Sequence, residues 1–201
     1  MARRSYSTVM DKALKPYGFT RDRLKWTRVR GDVIEMIDIQ PSRYSGRTAN
    51  VSIKNLETEK IYAEILEPLG DTYMFWISSR LGHLIDNCDR WWEDQPDGPE
   101  DMAALTVQYA LPWFDEFSSL EQQATQWYGR GIENSRGYYA PGLIGLALTL
   151  YRMGEIDEAL SVLAKPVPKL AIRSWVAKVV RVRDWLLAQR DCGAKTTNIQ
   201  A

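Results

Sequence analysis

Residues 145–165 read GLALTLYRMGEIDEALSVLAK, and this stretch limits the fold more than any other in the chain. Apolar residues recur at three- and four-residue spacing on both sides of Gly154, which predicts two amphipathic helices joined at that glycine. The small Ala159 lets the pair cross closely. Such a hairpin buries its apolar faces by stacking on neighbouring helices, and it carries no reactive group.

A chain of 201 residues supports one generous domain, or one domain with an appendage. Eight tryptophans supply much of the burial, roughly 150–250 Å² each where they pack. Trp91 and Trp92 are adjacent, and neighbouring side chains cannot both enter one core, so this pair is the candidate for an exposed aromatic. Formal charge is zero but unevenly spread: residues 1–60 carry +6, residues 61–135 carry −11 and residues 136–201 carry +5. Basic flanks folding against an acidic middle account for that pattern. A near-neutral total argues against a dedicated nucleic-acid binder. Cys88 and Cys192 cannot make a disulfide framework, and neither lies in a CxxC pair. The stretch from Met1 to Phe19 has no apolar signal-peptide core, and the longest apolar run, 143–150, falls short of the roughly 20 residues that span a bilayer. The expectation is a cytoplasmic protein without a membrane segment.

Along the chain, Ser5 or Ser7 can cap a first helix that Pro16 and Gly18 end. Strand-like residues follow from Leu24 to Arg30. Gly31-Asp32 suits a two-residue hairpin turn, and Val33 to Gln40 returns. In that strand Val33, Glu35, Ile37 and Ile39 share the face expected to meet the core. A third strand spans Ala49 to Leu56, with Val51 and Ile53 inward. Residues 57–69 are ambiguous: Ile61, Tyr62, Ile65 and Leu66 have helical spacing, with a strand as the alternative. Thr72 to Leu81 is strand-like, and a helix is expected from about His83 to Trp92. Pro99 opens another helix that Pro112 stops. Ser118 and Glu121 form a capping box for the next. After a loop at 129–137, helices are expected over 139–153, 156–164 and 171–189. The order predicts an α+β fold: an antiparallel sheet of four to five strands with helices on one side, followed by an all-helical C-terminal region. The expected division is 1–128, 138–190 and a flexible tail at 191–201.

Several strings resemble the family called domain of unknown function 4304: LKPYGFTR (14–21), WTRVRGDVIEMIDIQPSRY (26–44), RLGHLIDNCDRWW (80–92) and LPWFDEF (111–117). The resemblance covers about 10–121 and implies an α+β domain without bringing an activity. Residues 140–173 are similar to a tetratricopeptide repeat through Leu146, Ala147, Leu150, Gly154, Ala159 and Leu163. Only one such unit is visible, whereas stable stacks want about three.

No phosphate loop, nucleophile elbow, HExxH or dinucleotide fingerprint occurs, and no cofactor is expected. His83 is the only histidine. With Asp86 and Cys88 it lacks a fourth zinc ligand, and the plainer reading is a structural side chain. The candidate partner-binding residues are the acidic and aromatic set Asp86, Asp89, Trp91, Trp92, Asp94, Asp97 and Asp101, facing a protein with a basic surface. The leading expectation is therefore a non-enzymatic immunity-type or accessory module, with self-association left open. One alternative is a carboxylate enzyme site of Asp86, Asp89 and Glu93, which would share one face of a helix. Another is single-stranded nucleic-acid binding by Arg21, Arg23, Lys25, Trp26 and Arg28, with Trp26 stacking a base. The plainer reading of those cations is an edge strand guarded by charge.

Overall fold

Alternation decides the sheet. In the computed structural model, Val33–Pro41 (β3) buries every second residue from Val33 to Ile39. The described residues are 5–66, 77–93, 96–129, 133–134, 137–138, 140–166 and 173–197. Thr20–Asp22 (β1), Lys25–Arg30 (β2), β3, Arg47–Asn55 (β4) and Ile77–Arg80 (β5) form one antiparallel sheet in sequence order. The register places Trp26, Ile37 and Val51 in one cross-strand row and Arg28, Glu35, Ile53 and Ile77 in the next. These rows share a face. Helices meet that face: Trp26 Nε1 donates to Asp11 Oδ1 at 3.3 Å from Tyr6–Leu14 (α1), and Arg30 pairs with Asp115 of Leu111–Glu116 (α5). The fold is α+β, as its sequence order implies.

Several local expectations change. Residues 57–69 resolve, over the described part, as the helix Leu56–Leu66 (α2). The strand expected over 72–81 is described only from Ile77; 72–76 lie outside the described residues. The helix after β5 is short, Leu81–Asp86 (α3), because Asn87 adopts a left-handed conformation with φ 60°. Pro112 does not end its helix. Gly98–Leu105 (α4) runs into a π-helical turn, Thr106–Ala110, and Pro112 falls at the start of α5. A proline there needs no N–H partner, and the wider turn relieves the clash of its ring with the preceding carbonyl. The cap of Leu120–Gly129 (α6) also moves by one residue. Ser119 Oγ accepts the Gln122 N–H at 3.2 Å, while Ser118 Oγ donates to the Asp115 carbonyl at 2.8 Å.

The described elements group into two compact units that are not contiguous in sequence. One holds α1, the sheet and α3 to α5. The other holds α2, α6, Ala140–Arg152 (α7), Ile156–Leu163 (α8) and Arg173–Thr197 (α9). The linear cut at 129–137 therefore lies inside the second unit. Residues 191–197, expected as tail, continue α9.

In the helical unit, α7 is buried at every residue from Ala140 to Leu150, and it packs against α2, α6, α8 and α9. A helix that is apolar all round takes such a central place. The predicted hairpin of α7 and α8 forms, with Ala159 fully buried. Its first helix is enclosed from Ala140 to Leu150. Arg181 Nε donates to the Ile65 carbonyl at 2.6 Å, satisfying one of the last carbonyls of α2 from a distant helix.

Candidate functional site

The segment after α3 is built by close backbone packing. Gly82 lies beneath the Cys88–Arg90 backbone, where a Cβ would stand 2.6 Å from Arg90 N. Beyond it, Trp92 extends the edge of β4. Arg47 N donates to the Trp92 carbonyl and Trp92 N to the Arg47 carbonyl, both at 2.8 Å. The Trp92 indole is buried, and its Nε1 donates to Asp101 Oδ2 at 2.7 Å in the first turn of α4. Trp92 is thus a wedge between strand and helix and not a contact surface. Its neighbour Trp91 is half-buried, with the Arg80 guanidinium 5.3 Å from its ring centre. The adjacent pair divides between inside and outside, as alternation requires.

The carboxylates divide in the same way. Asp89 pairs with Arg80 and lies 3.4 Å from His83 Nε2. Asp101 holds Trp92 and stands 3.4 Å from Arg90. Asp86 is exposed, and its Oδ1 accepts the Cys88 N–H at 3.2 Å. Glu93 and Asp97 are exposed, and with Asp86 they make no ion pair among the described residues. Asp94 lies outside the described residues. Because α3 stops at Asp86, the helical face expected to gather Asp86, Asp89 and Glu93 does not form. Among the described residues no three His, Cys, Asp or Glu side chains come together to hold a metal ion.

The loop between β3 and β4 meets this segment. Ser42 N donates to the Gly46 carbonyl at 3.0 Å, and Tyr44 N to Ser42 Oγ at 3.1 Å. Gly46 has φ 81°, and a Cβ there would stand 2.8 Å from the Trp92 carbonyl oxygen. Glycine answers both demands. From below, Tyr6 Oη donates to the Glu93 carbonyl at 3.0 Å, and the Arg47 guanidinium lies 5.4 Å from the Tyr6 ring centre.

The basic strand is placed differently from its stacking role. Trp26 is completely buried, so it has no ring face to offer a base. Arg21, Arg23 and Lys25 are exposed. Arg28 turns inward, with Nε 2.6 Å and Nη2 2.5 Å from Glu35 Oε2. Glu35 was expected simply as a member of the core face. It is completely buried and also meets Arg30, whose Nη2 stands 2.7 Å from Oε1. That oxygen accepts no well-aligned hydrogen bond. The signal for this cluster was present in the sequence: one acid on an apolar strand face opposite two arginines of a hairpin partner.

Arg30, Glu121 and Tyr128 each shift in the direction that keeps their ordinary form at neutral pH. Burial works against the charge of Arg30, but Asp115 and Glu35 outweigh it and hold the guanidinium above its ordinary pKa. Glu121 is lowered by its own backbone N–H and then by the Ser119 hydroxyl. Tyr128 is pushed up to about 12 by burial and then by Glu158.

The family model for the domain of unknown function DUF4304 matches residues 10–116. The chain belongs to the DUF4304 family. No curated protein and no solved structure matches it. The matched stretch runs from α1 to α5, so it contains Arg47, Tyr44 and the whole of 86–101. The helices α6 to α9 of this DUF4304 chain lie beyond it.

Proposed function

We propose that this DUF4304 chain is a non-enzymatic protein-binding module, of immunity or accessory type, acting in a bacterial cytoplasm. Its partner brings a basic face to Asp86, Glu93 and Asp97, with Trp91 at the edge of the contact. The observation that carries this reading is the division among the acidic residues. Asp89 and Asp101 are engaged with Arg80, His83, Arg90 and Trp92. Asp86, Glu93 and Asp97 are exposed and keep their charge uncompensated among the described residues. Exposed charge of one sign steers an oppositely charged partner and sets register.

The test is capture by the immobilised full chain, with the retained proteins identified and then purified. The variant Asp86→Lys/Glu93→Lys/Asp97→Lys leaves the Trp92–Asp101 wedge intact and is expected to lose the basic partner while remaining folded by circular dichroism. Capture by wild type is also expected to weaken as salt rises. Equal retention by wild type and variant, or retention of nothing by either, would overturn the reading.

A further inference from the structure

We infer that Tyr44 is the aromatic anchor of that same contact, inserted into a cleft on the basic partner; this inference rests on the function proposed above. Tyr44 is 98 % exposed, at the tip of the β3–β4 loop. Single exposed apolar side chains are ordinary on protein surfaces. This one differs in how firmly its backbone is held. The loop is closed by Ser42 N to the Gly46 carbonyl, Tyr44 N is tied to Ser42 Oγ, and Gly46 is pressed against the Trp92 carbonyl. The ring is therefore presented by a preorganised backbone, so little further ordering opposes binding. A tyrosine has two side-chain torsions to fix and combines an apolar body with a hydrogen-bonding tip, which suits it to an interface centre.

Placement selects the partner. The loop abuts Trp92, and a Cβ on Gly46 would lie 3.5 Å from Glu93 Cα, so the base of the loop lies beside the backbone of Glu93. Arg43, also exposed, is the cation next to the tip. The complementary surface is a protein cleft deep enough for a phenol, rimmed by Lys or Arg on the side of Glu93 and Asp97 and by a carboxylate on the side of Arg43. A nucleic acid offers phosphates in place of those cations and would meet Glu93 and Asp97 with like charge.

The experiment uses the full chain with the photo-crosslinking residue p-benzoylphenylalanine at position 44 and, as a control, at position 29. Val29 is also exposed, at 62 %, but lies on the sheet. Position 44 is expected to crosslink to the same purified protein that the Asp86→Lys/Glu93→Lys/Asp97→Lys variant loses, and position 29 is not. Tyr44→Ser should weaken binding of that protein by roughly thirtyfold, whereas Tyr44→Phe should cost much less. If the triple variant loses the partner but Tyr44→Ser binds it fully and position 44 gives no crosslink, the anchor role is overturned and the acidic contact stands. If the full chain retains no partner, both fall together.

Discussion

Gly145 of α7 lies against the indole of Trp127 of α6, where an added Cβ would stand 2.8 Å from Cζ2. Trp127 is itself buried, and α7 is enclosed along its length, so neither side can give way easily. In an exposed helix, glycine to alanine would stabilise by up to about 1 kcal/mol. Here overpacking, which costs about 1–3 kcal/mol, should win. Gly145→Ala is expected to lower stability by about 1–2 kcal/mol in urea unfolding. Trp127→Phe should relieve part of that loss in a double-mutant cycle. A gain in stability from Gly145→Ala alone would refute the close packing.

The Glu35 cluster predicts an ordering among substitutions. Glu35 is fully buried, Arg28 is mostly covered, and Arg30 is 41 % exposed and shared with Asp115. Removing Arg28 leaves a buried carboxylate with one partner, and breaking such a pair costs about 3–5 kcal/mol. Solvent reaching Arg28 reduces this, so Arg28→Ala is expected to cost about 2–3 kcal/mol and Arg30→Ala less. Glu35→Gln keeps most of the hydrogen bonding and should be milder than Arg28→Ala. Chemical denaturation of the three variants gives the ranking, and an Arg30→Ala cost above that of Arg28→Ala would contradict it.

The sheet was legible because its periodicity is strong. Val33, Ile37, Ile39, Val51 and Ile53 all fall on the buried face that alternation assigns them. The ends of helices were less legible. Asn87 ends α3 by a left-handed residue that no apolar pattern marks, and Pro112 is tolerated because a π turn precedes it. The acidic segment was visible as a charge run. Which of its residues are paired depends on Arg80 and Arg90 arriving from β5 and from the turn after α3, and spacing does not encode that. The exposed Tyr44 was missed because a lone tyrosine in a polar loop has no periodic signature. The placement of α2 with the C-terminal helices rests on contacts such as Arg181 with the Ile65 carbonyl, far apart in sequence.

Thr48 of β4 is fully buried, and its Oγ1 finds no hydrogen-bond partner among the described residues. A buried hydroxyl without a partner carries a desolvation cost of about 1–3 kcal/mol. Valine keeps the branched shape and the strand preference while removing that oxygen. Thr48→Val is expected to raise stability by about 1 kcal/mol, which at this chain length corresponds to roughly 2–4 °C in melting temperature. A fall in melting temperature would mean that the hydroxyl is engaged by water.

Tyr128 links α6 to α8 by donating its phenolic proton to Glu158 Oε1 at 2.7 Å. Burial, and then the hydrogen bond and charge of Glu158, push its pKa up to about 12 from the ordinary value near 10. The native state therefore favours the protonated phenol. Its contribution to stability is complete below about pH 10, where the unfolded tyrosine is also protonated, and declines as pH rises toward about 12. Wild type should lose stability to denaturant across that window faster than Tyr128→Phe, which has no proton to release. The difference in phenolate absorbance between wild type and Tyr128→Phe should titrate as one group with its midpoint near pH 12. A midpoint near 10 would place the phenol in open solvent and dissolve the link between the two helices.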